Sequence, residues 1–398
     1  MRIITDTPGL KSLCIELEKG AYVTLDTEFM RDRTYWPKLC LIQAAGPDSE
    51  AIIDPQAEGL DLAPFYRLLT SKKVMKVFHA ARQDIEIFHH QAKIIPEPLF
   101  DTQIAAMVCG FGEAASYETL VRKIAKADID KSARFTDWSR RPLSKRQLEY
   151  ALADVTYLRV IYEFLSKELE KSGRAGWVEE EDAILKDPAI YRLDPANAWR
   201  RLKPRSSNKR FLAMLVTLAA WREREAQTRD VPRNRILKDE ALTEIAAHPP
   251  PDAQALSGIR ALSQGYANSP LGKAILGVIK DTLENPPTES VDVTELRGHR
   301  RGRDASPGAL DLLKTLLRLR AAQHGVAARL IATSEDLNLL AAGEEKNVPA
   351  LHGWRAEVFG NDAVALREGR LAISLEGGNV VVIATRHLAE RKAPEKAR

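Results

Sequence analysis

The stretch "AYVTLDTEFMRD" (residues 21–32) decides how the N-terminal part of this chain is read. Val23 and Leu25 have the look of a strand entering a core, and Asp26 and Glu28 continue that strand. Side chains at i and i+2 of a strand point to the same face, so two carboxylates stand together on an element built for burial. At a separation of ~4 Å and an effective dielectric near 20, such a pair repels by about 4 kcal/mol. A shared proton, a basic partner or a metal cation would each relieve it.

The surroundings read as alternating strands and helices. Strands are expected at 22–28, 39–45 and 51–54, the last two joined as a hairpin by "GPDSE", a run of turn formers. A helix is expected over 60–69 and a further strand over 74–78. Together they predict a mixed sheet with helices packed on it. In "VMKVFHAARQDIEIFHH" a helix begins soon after that strand and carries Asp84 in an early turn. In "RPLSKRQLEYALADVTYL", Ser144 and Gln147 have the S-x-x-Q spacing of a capping box. Leu148, Leu152 and Val155 form the apolar stripe of the helix they start, while Tyr150 and Asp154, four apart, share another face.

Asp26, Glu28, Asp84 and Asp154 make an oxygen-only donor set without sulfur or clustered imidazole. Such a set suits hard cations, Mg2+ or Mn2+ rather than zinc. Two such ions ~4 Å apart can clamp the attacking and leaving oxygens of a phosphodiester, with the Tyr150 hydroxyl placing the water. Any one of these acids alone has an ordinary reading, as a strand edge, a helix-start charge or a surface hydrogen bond. Their order and placement carry the argument.

"LDTEF", "HAARQDIEIF" and "YALADVTYL" resemble the three motifs of the DEDD exonucleases, in the subtype with tyrosine in the third motif. "TYWPKLCLIQ", "FDTQIAA" and "DKSARFTDWSRRPLSKRQLEYALADVTYL" resemble the bacterial ribonuclease D enzymes. "WREREAQTRDVPRNRIL" resembles the first helicase-and-RNase-D C-terminal (HRDC) domain of that family, and "LLKTLLRLRAAQHGVAARLIATSEDL" with "LHGWRAEVFG" resembles a second. The resemblance implies a ribonuclease H-like α/β exonuclease domain followed by two small all-α HRDC domains. It implies a two-metal 3′→5′ exoribonuclease that trims structured RNA, chiefly tRNA precursors, and releases 5′-mononucleotides. Carried over by position, Asp26, Glu28, Asp84 and Asp154 are the metal ligands and Tyr150 the catalytic tyrosine. No histidine lies between His90 and His248 to replace Tyr150. One departure is "EAASYETLVRKIAKADID" (113–130), which lacks the glycines expected near its loop.

The 398 residues call for two or three domains. Expected boundaries are 1–172 for the exonuclease domain, 173–206 for a basic connector and 207–284 for the first HRDC domain. A linker follows over 285–307, a second HRDC-like domain over 308–385 ending in a hairpin, and a charged tail over 386–398. A shift of 95 residues aligns Leu218, Ala226, Val231, Ile236 and Leu242 with Leu313, Ala321, Val326, Ile331 and Leu337, the mark of a repeated module.

A net charge of +4 permits a polyanionic partner without demanding one. Arg31, Arg33 and Lys38 follow the first acidic pair, and Arg134, Arg140, Arg141, Lys145 and Arg146 precede the last acid. With Trp138, and with Tyr35, Trp36 and Phe135 nearby, they are candidates for RNA contact. The connector basic residues Arg200, Arg201, Lys203, Arg205, Lys209 and Arg210 are a solvated linker or a phosphate-contacting strap. Cys14, Cys40 and Cys109 are too scattered for a zinc site or disulfide framework. The N-terminus lacks an apolar secretory segment, and "FLAMLVTLAAW" (211–221) is too short to span a bilayer. The expectation is a cytoplasmic protein with no obligatory protein partner. Two other functions remain open: an inactive nucleic-acid-binding scaffold, and a proofreading-like exonuclease acting on DNA.

Overall fold

The structure is a computed structural model that describes residues 1–202, 204, 206, 208–286 and 306–385. Lys203 and Arg205 of the connector, most of the linker and the charged tail lie outside the described residues.

A six-stranded sheet organises the first part of the chain: β1 (Ile3–Ile4), β2 (Tyr22–Met30), β3 (Lys38–Ala45), β4 (Glu50–Ile53), β5 (Met75–Phe78) and β6 (Leu99–Asp101). Its order is β1-β4-β3-β2-β5-β6. Strands β2, β3 and β4 form an antiparallel meander, whereas β5 runs parallel to β2 and β6 parallel to β5. The mixed sheet and the 45–50 hairpin are as expected. Strands β1 and β6 were not legible, because two and three residues are too few to show an alternation.

Three helices line one face, α1 (Thr7–Leu17), α2 (Ala63–Thr70) and α3 (Arg82–Ala92), and share a core with Val23, Leu25, Ile42, Ala44 and Ile53; α4 (Thr102–Val108) packs in a separate cluster with Ile161, Leu165 and Leu169. Helix α2 starts three residues later than expected, where Pro64 suits a first turn and Asp61 accepts the Ala63 N–H at 2.9 Å. A short α5 (Tyr117–Leu120) runs into a π-helical turn over Val121–Ala125. Here the missing glycines are answered by the backbone: Ala114 and Lys126 adopt left-handed φ of 50° and 54°.

The long α6 (Lys145–Ser172) covers the other face of the sheet. Its capping box forms as predicted. Its buried stripe is Ala151, Asp154, Val155, Leu158, Ile161, Leu165 and Leu169, with Leu148 and Leu152 only half-buried. Thr24 ties β2 to this helix by donating to the Val155 carbonyl at 2.9 Å.

The segment expected as a connector is packed. Helix α7 (Ala175–Leu185) buries Val178, Glu181 and Asp182. Leu185, Ile190 and Tyr191 then close the core of the sheet domain, and Ala198 and Trp199 enter the next one. Its many charges concealed this amphipathic pattern.

The helical part comprises α8 (Lys209–Arg229), α9 (Arg233–Ile236), α10 (Asp239–Ala247), α11 (Ala253–Ser257) and α12 (Pro270–Glu284), then α13 (Pro307–His324), α14 (Ala328–Ile331) and α15 (Ser334–Ala342). The bounds of α14 and α15 are those of α9 and α10 shifted by 95 residues. The aligned apolar residues are buried in two separate cores, except Val231, which packs against the first while half-buried. The expected hairpin closes the second module over Leu371–Glu376 and Asn379–Ala384.

Both modules dock on the sheet domain. Asp230 accepts the backbone N–H groups of Tyr35 and Trp36 at 3.0 and 2.9 Å. The Ala327 N–H donates to the Met107 carbonyl at 3.0 Å, and Trp354 donates to Glu181 at 2.9 Å. Among the described residues no helix is long and apolar enough to cross a membrane.

Candidate active site

A cavity of about 460 Å³ opens where the C-terminal half of β2 meets α3 and α6, with Asp26, Glu28, Asp84, Tyr150 and Asp154 in its lining. Strand β2 supplies the first two because a pleated strand sends alternate side chains to one face. Ligand oxygens of Asp26, Glu28 and Asp154 lie within 4.8 Å of one another. Asp84 stands outside that tight group but lines the same cleft, 6% exposed, and accepts the Thr27 hydroxyl at 2.5 Å. Asp154 is 8% exposed and lines the cleft one helical turn from Tyr150.

The electrostatics follow from burial first and like charge second. Burial, then Asp84, Asp154 and Glu28, hold the Asp26 carboxyl well above the usual carboxylate range. Burial with the charges of Asp154 and Asp84 pushes Glu28 up to about 9. Burial also raises Asp84 and Asp154 to about 7, against hydrogen bonds from Thr27 and Tyr150 respectively. Tyr150 is raised by burial and then by Asp154, so its phenol stays protonated. None of the four acids forms an ion pair among the described residues; Arg134 is the cation whose field reaches Glu28, Asp154 and Tyr150. Converging carboxylates without a basic partner fit a hard divalent cation, which would supply the missing positive charge.

The turn that delivers Asp84 is held from below. Asp101 caps α4 through the Gln103 N–H and also accepts the Ala80 and Ala81 N–H groups, each at 2.9 Å. Ala80 there takes a left-handed φ of 59°. His79 lies 3.0 Å from the Thr102 hydroxyl through its Nδ1, a structural contact beside the same turn. Sequence reading missed Tyr117, which lines the cleft and donates to the Ala153 carbonyl at 2.9 Å, and Asp182, which accepts the Asp101 N–H. Neither lies in a recognisable pattern.

The residues expected to touch RNA divide. Arg134 and Phe135 line the cleft, and Phe135 is 91% exposed. Arg33 and Arg140 are exposed and loosely paired with Asp32 and Asp137, outside the cleft lining. Arg31 is committed to a two-pronged contact with Glu86, and Arg141 to Asp54 and the Cys40 carbonyl. Trp138 is 2% exposed and packs with Cys40, Leu41, Ile52 and Ala151, so it offers no face to a substrate. Trp36 stacks on His90.

Comparison with known proteins agrees with this geometry. Residues 1–170 match the 3′-5′ exonuclease family model and residues 211–279 the HRDC domain model. The chain is 49% identical to ribonuclease D of Granulibacter bethesdensis and 50% identical to that of Acidiphilium cryptum, in each case over 96% of both chains. This chain belongs to the ribonuclease D family. Its fold matches the crystal structure of Escherichia coli RNase D, an exoribonuclease involved in structured RNA processing. The TM-score is 0.78 at 29% identity, covering 92% of this chain and 98% of that one. As a ribonuclease D it is a hydrolytic 3′–5′ exoribonuclease, with a ribonuclease H-like catalytic domain and a helical C-terminal part that includes an HRDC domain. Enzymes of this exonuclease class use divalent metal ions.

Proposed function

We propose that Asp26, Glu28, Asp84 and Asp154 hold two divalent ions, Mg2+ or Mn2+, and that Tyr150 orients the water that attacks the terminal phosphodiester of RNA. The observation that carries this reading is the convergence of strand and helix carboxylates within 4.8 Å with no basic partner. Bound there, divalent cations would acidify water and offset charge on the attacking and leaving oxygens. The protein's own groups do the placing. The Tyr150 phenol, kept protonated, lines the cleft one helical turn from Asp154 and offers its hydroxyl to the attacking water. Thr27 and Asp101 fix Asp84 and its turn. Arg134, with Arg33 and Arg140 outside the cleft lining, meets the phosphates, and Phe135 supplies an exposed ring for a base.

The natural substrates are the 3′ ends of structured RNA such as tRNA precursors, trimmed in the cytoplasm to 5′-mononucleotides. Support comes from the likeness to E. coli RNase D. The second helical module, repeating the first at a 95-residue offset, is read as HRDC-like. The test uses 3′-labelled RNA and DNA with Mg2+, with chelator, and with Asp26→Ala. Mononucleotide release from RNA that needs both metal and Asp26 is expected. Binding without release would establish a scaffold instead, and faster digestion of DNA a proofreading-like enzyme.

A further inference from the structure

Gln43 is fully buried, and neither its Nε2 nor its Oε1 has a partner among the described residues. Two buried amide atoms left unpaired carry an uncompensated desolvation penalty, and a methionine or leucine would fill the same space without it. The sheet shows what the amide faces. Gln43 on β3 is the cross-strand partner of Asp26 on β2, and of Ile52 on β4. Directly opposed residues share a face, with Cβ atoms roughly 4.5–5.5 Å apart. This is the face covered by α6, since Ile52 packs with Ala151. The other polar neighbours on that face are Thr24 and Glu28, diagonal to Gln43. The Thr24 hydroxyl is already engaged with the Ala45 and Val155 carbonyls, and Glu28 lies one pleat further toward the open cleft. Asp26 is left as the polar side chain closest in register.

We propose that Gln43 is the positioning residue of Asp26. Unpaired in the metal-free protein, its Nε2 would donate, once a cation is bound, to the Asp26 carboxylate oxygen turned away from the cleft, which leaves the other oxygen for the cation. The proposal deepens the metal reading above and rests on it. Outer groups that orient a metal-binding side chain act on affinity, typically 10–100-fold, whereas a packing residue acts on stability alone.

The experiment measures Mn2+ binding to the full-length protein without RNA, by calorimetry or by the electron paramagnetic resonance of free Mn2+. Thermal melts are recorded in chelator. Gln43→Met keeps the volume and removes the amide; Gln43→Leu does so with a different shape. Both variants are expected to melt at or above the wild-type temperature in chelator and to bind Mn2+ 10–100-fold more weakly, with the RNA KM at saturating metal unchanged. Unchanged Mn2+ affinity in both would overturn the proposal. Loss of folding in both would overturn it as well, because the amide would then already have partners in the metal-free protein. Wild-type binding that is abolished by Asp26→Ala is the internal standard. Its absence would refute the metal reading itself, and this proposal with it.

Discussion

Replacing Asp26 by Asn should stabilise the metal-free protein while destroying its response to metal. Ligand oxygens of Asp26, Glu28 and Asp154 lie within 4.8 Å of one another, so each ionised pair repels by about 3.5 kcal/mol at an effective dielectric near 20. The amide removes two of those repulsions. How much is recovered depends on pH. Asp84 and Asp154 are raised to about 7 and Glu28 to about 9, above the roughly 4 of an unfolded carboxyl. A group with a raised folded pKa contributes its stability fully below the unfolded pKa and loses it as pH rises through the folded one. The wild-type catalytic domain should therefore melt progressively lower from pH 5 to pH 9 in chelator. Asp26→Asn should flatten that decline. After discounting for residual protonation, the gain should be roughly 2–3 kcal/mol at pH 9, some 4–10 °C for a domain of this size, and little at pH 5. Saturating Mn2+, at about 100 times its Kd, should add about 2.7 kcal/mol to the wild type and almost nothing to the variant. Differential scanning calorimetry across pH, with chelator and with Mn2+, reads all of this. A variant that melts at or below wild type at pH 9, or that keeps the full Mn2+ gain, would refute the reasoning.

Tyr150→Phe should lower kcat on RNA by about 100-fold or more, as for loss of a positioned proton-transfer group, while Mn2+ affinity measured by calorimetry stays within a few-fold. Phe135→Ala should raise the KM for single-stranded RNA several-fold, in line with about 1–3 kcal/mol per stacked base, with an unchanged melting temperature because the ring is exposed. Arg141→Ala should behave oppositely. It strands Asp54 and the Cys40 carbonyl and should cost about 1–3 kcal/mol in denaturant unfolding, with RNA KM unaltered. Gly110→Ala should weaken docking of the second helical module. Residue 110 has φ 80°, and a Cβ there would meet the Gly325 carbonyl oxygen at 2.5 Å; faster limited proteolysis between the modules is the readout.

The candidate site was legible because its residues sit in local patterns. Asp26 and Glu28 lie two apart on one strand, Tyr150 and Asp154 four apart on one helix, and Ser144 and Gln147 announce where that helix begins. The 95-residue repeat likewise survives in the spacing of buried apolar positions, since each module must fill its own core. What the sequence could not declare are facts of register and docking. Trp138 and Phe135 sit three residues apart in one basic aromatic stretch, yet one is sealed beneath α6 and the other stands in the cleft. Arg31 and Arg141 look like phosphate contacts until Glu86 and Asp54 are brought to them across 55 and 87 residues. Gln43 is an ordinary strand residue until antiparallel pairing sets it opposite Asp26. Identity and spacing along one element fix which groups share a face. Only the packed chain decides what that face meets, because burial and long-range pairing are properties of elements in contact.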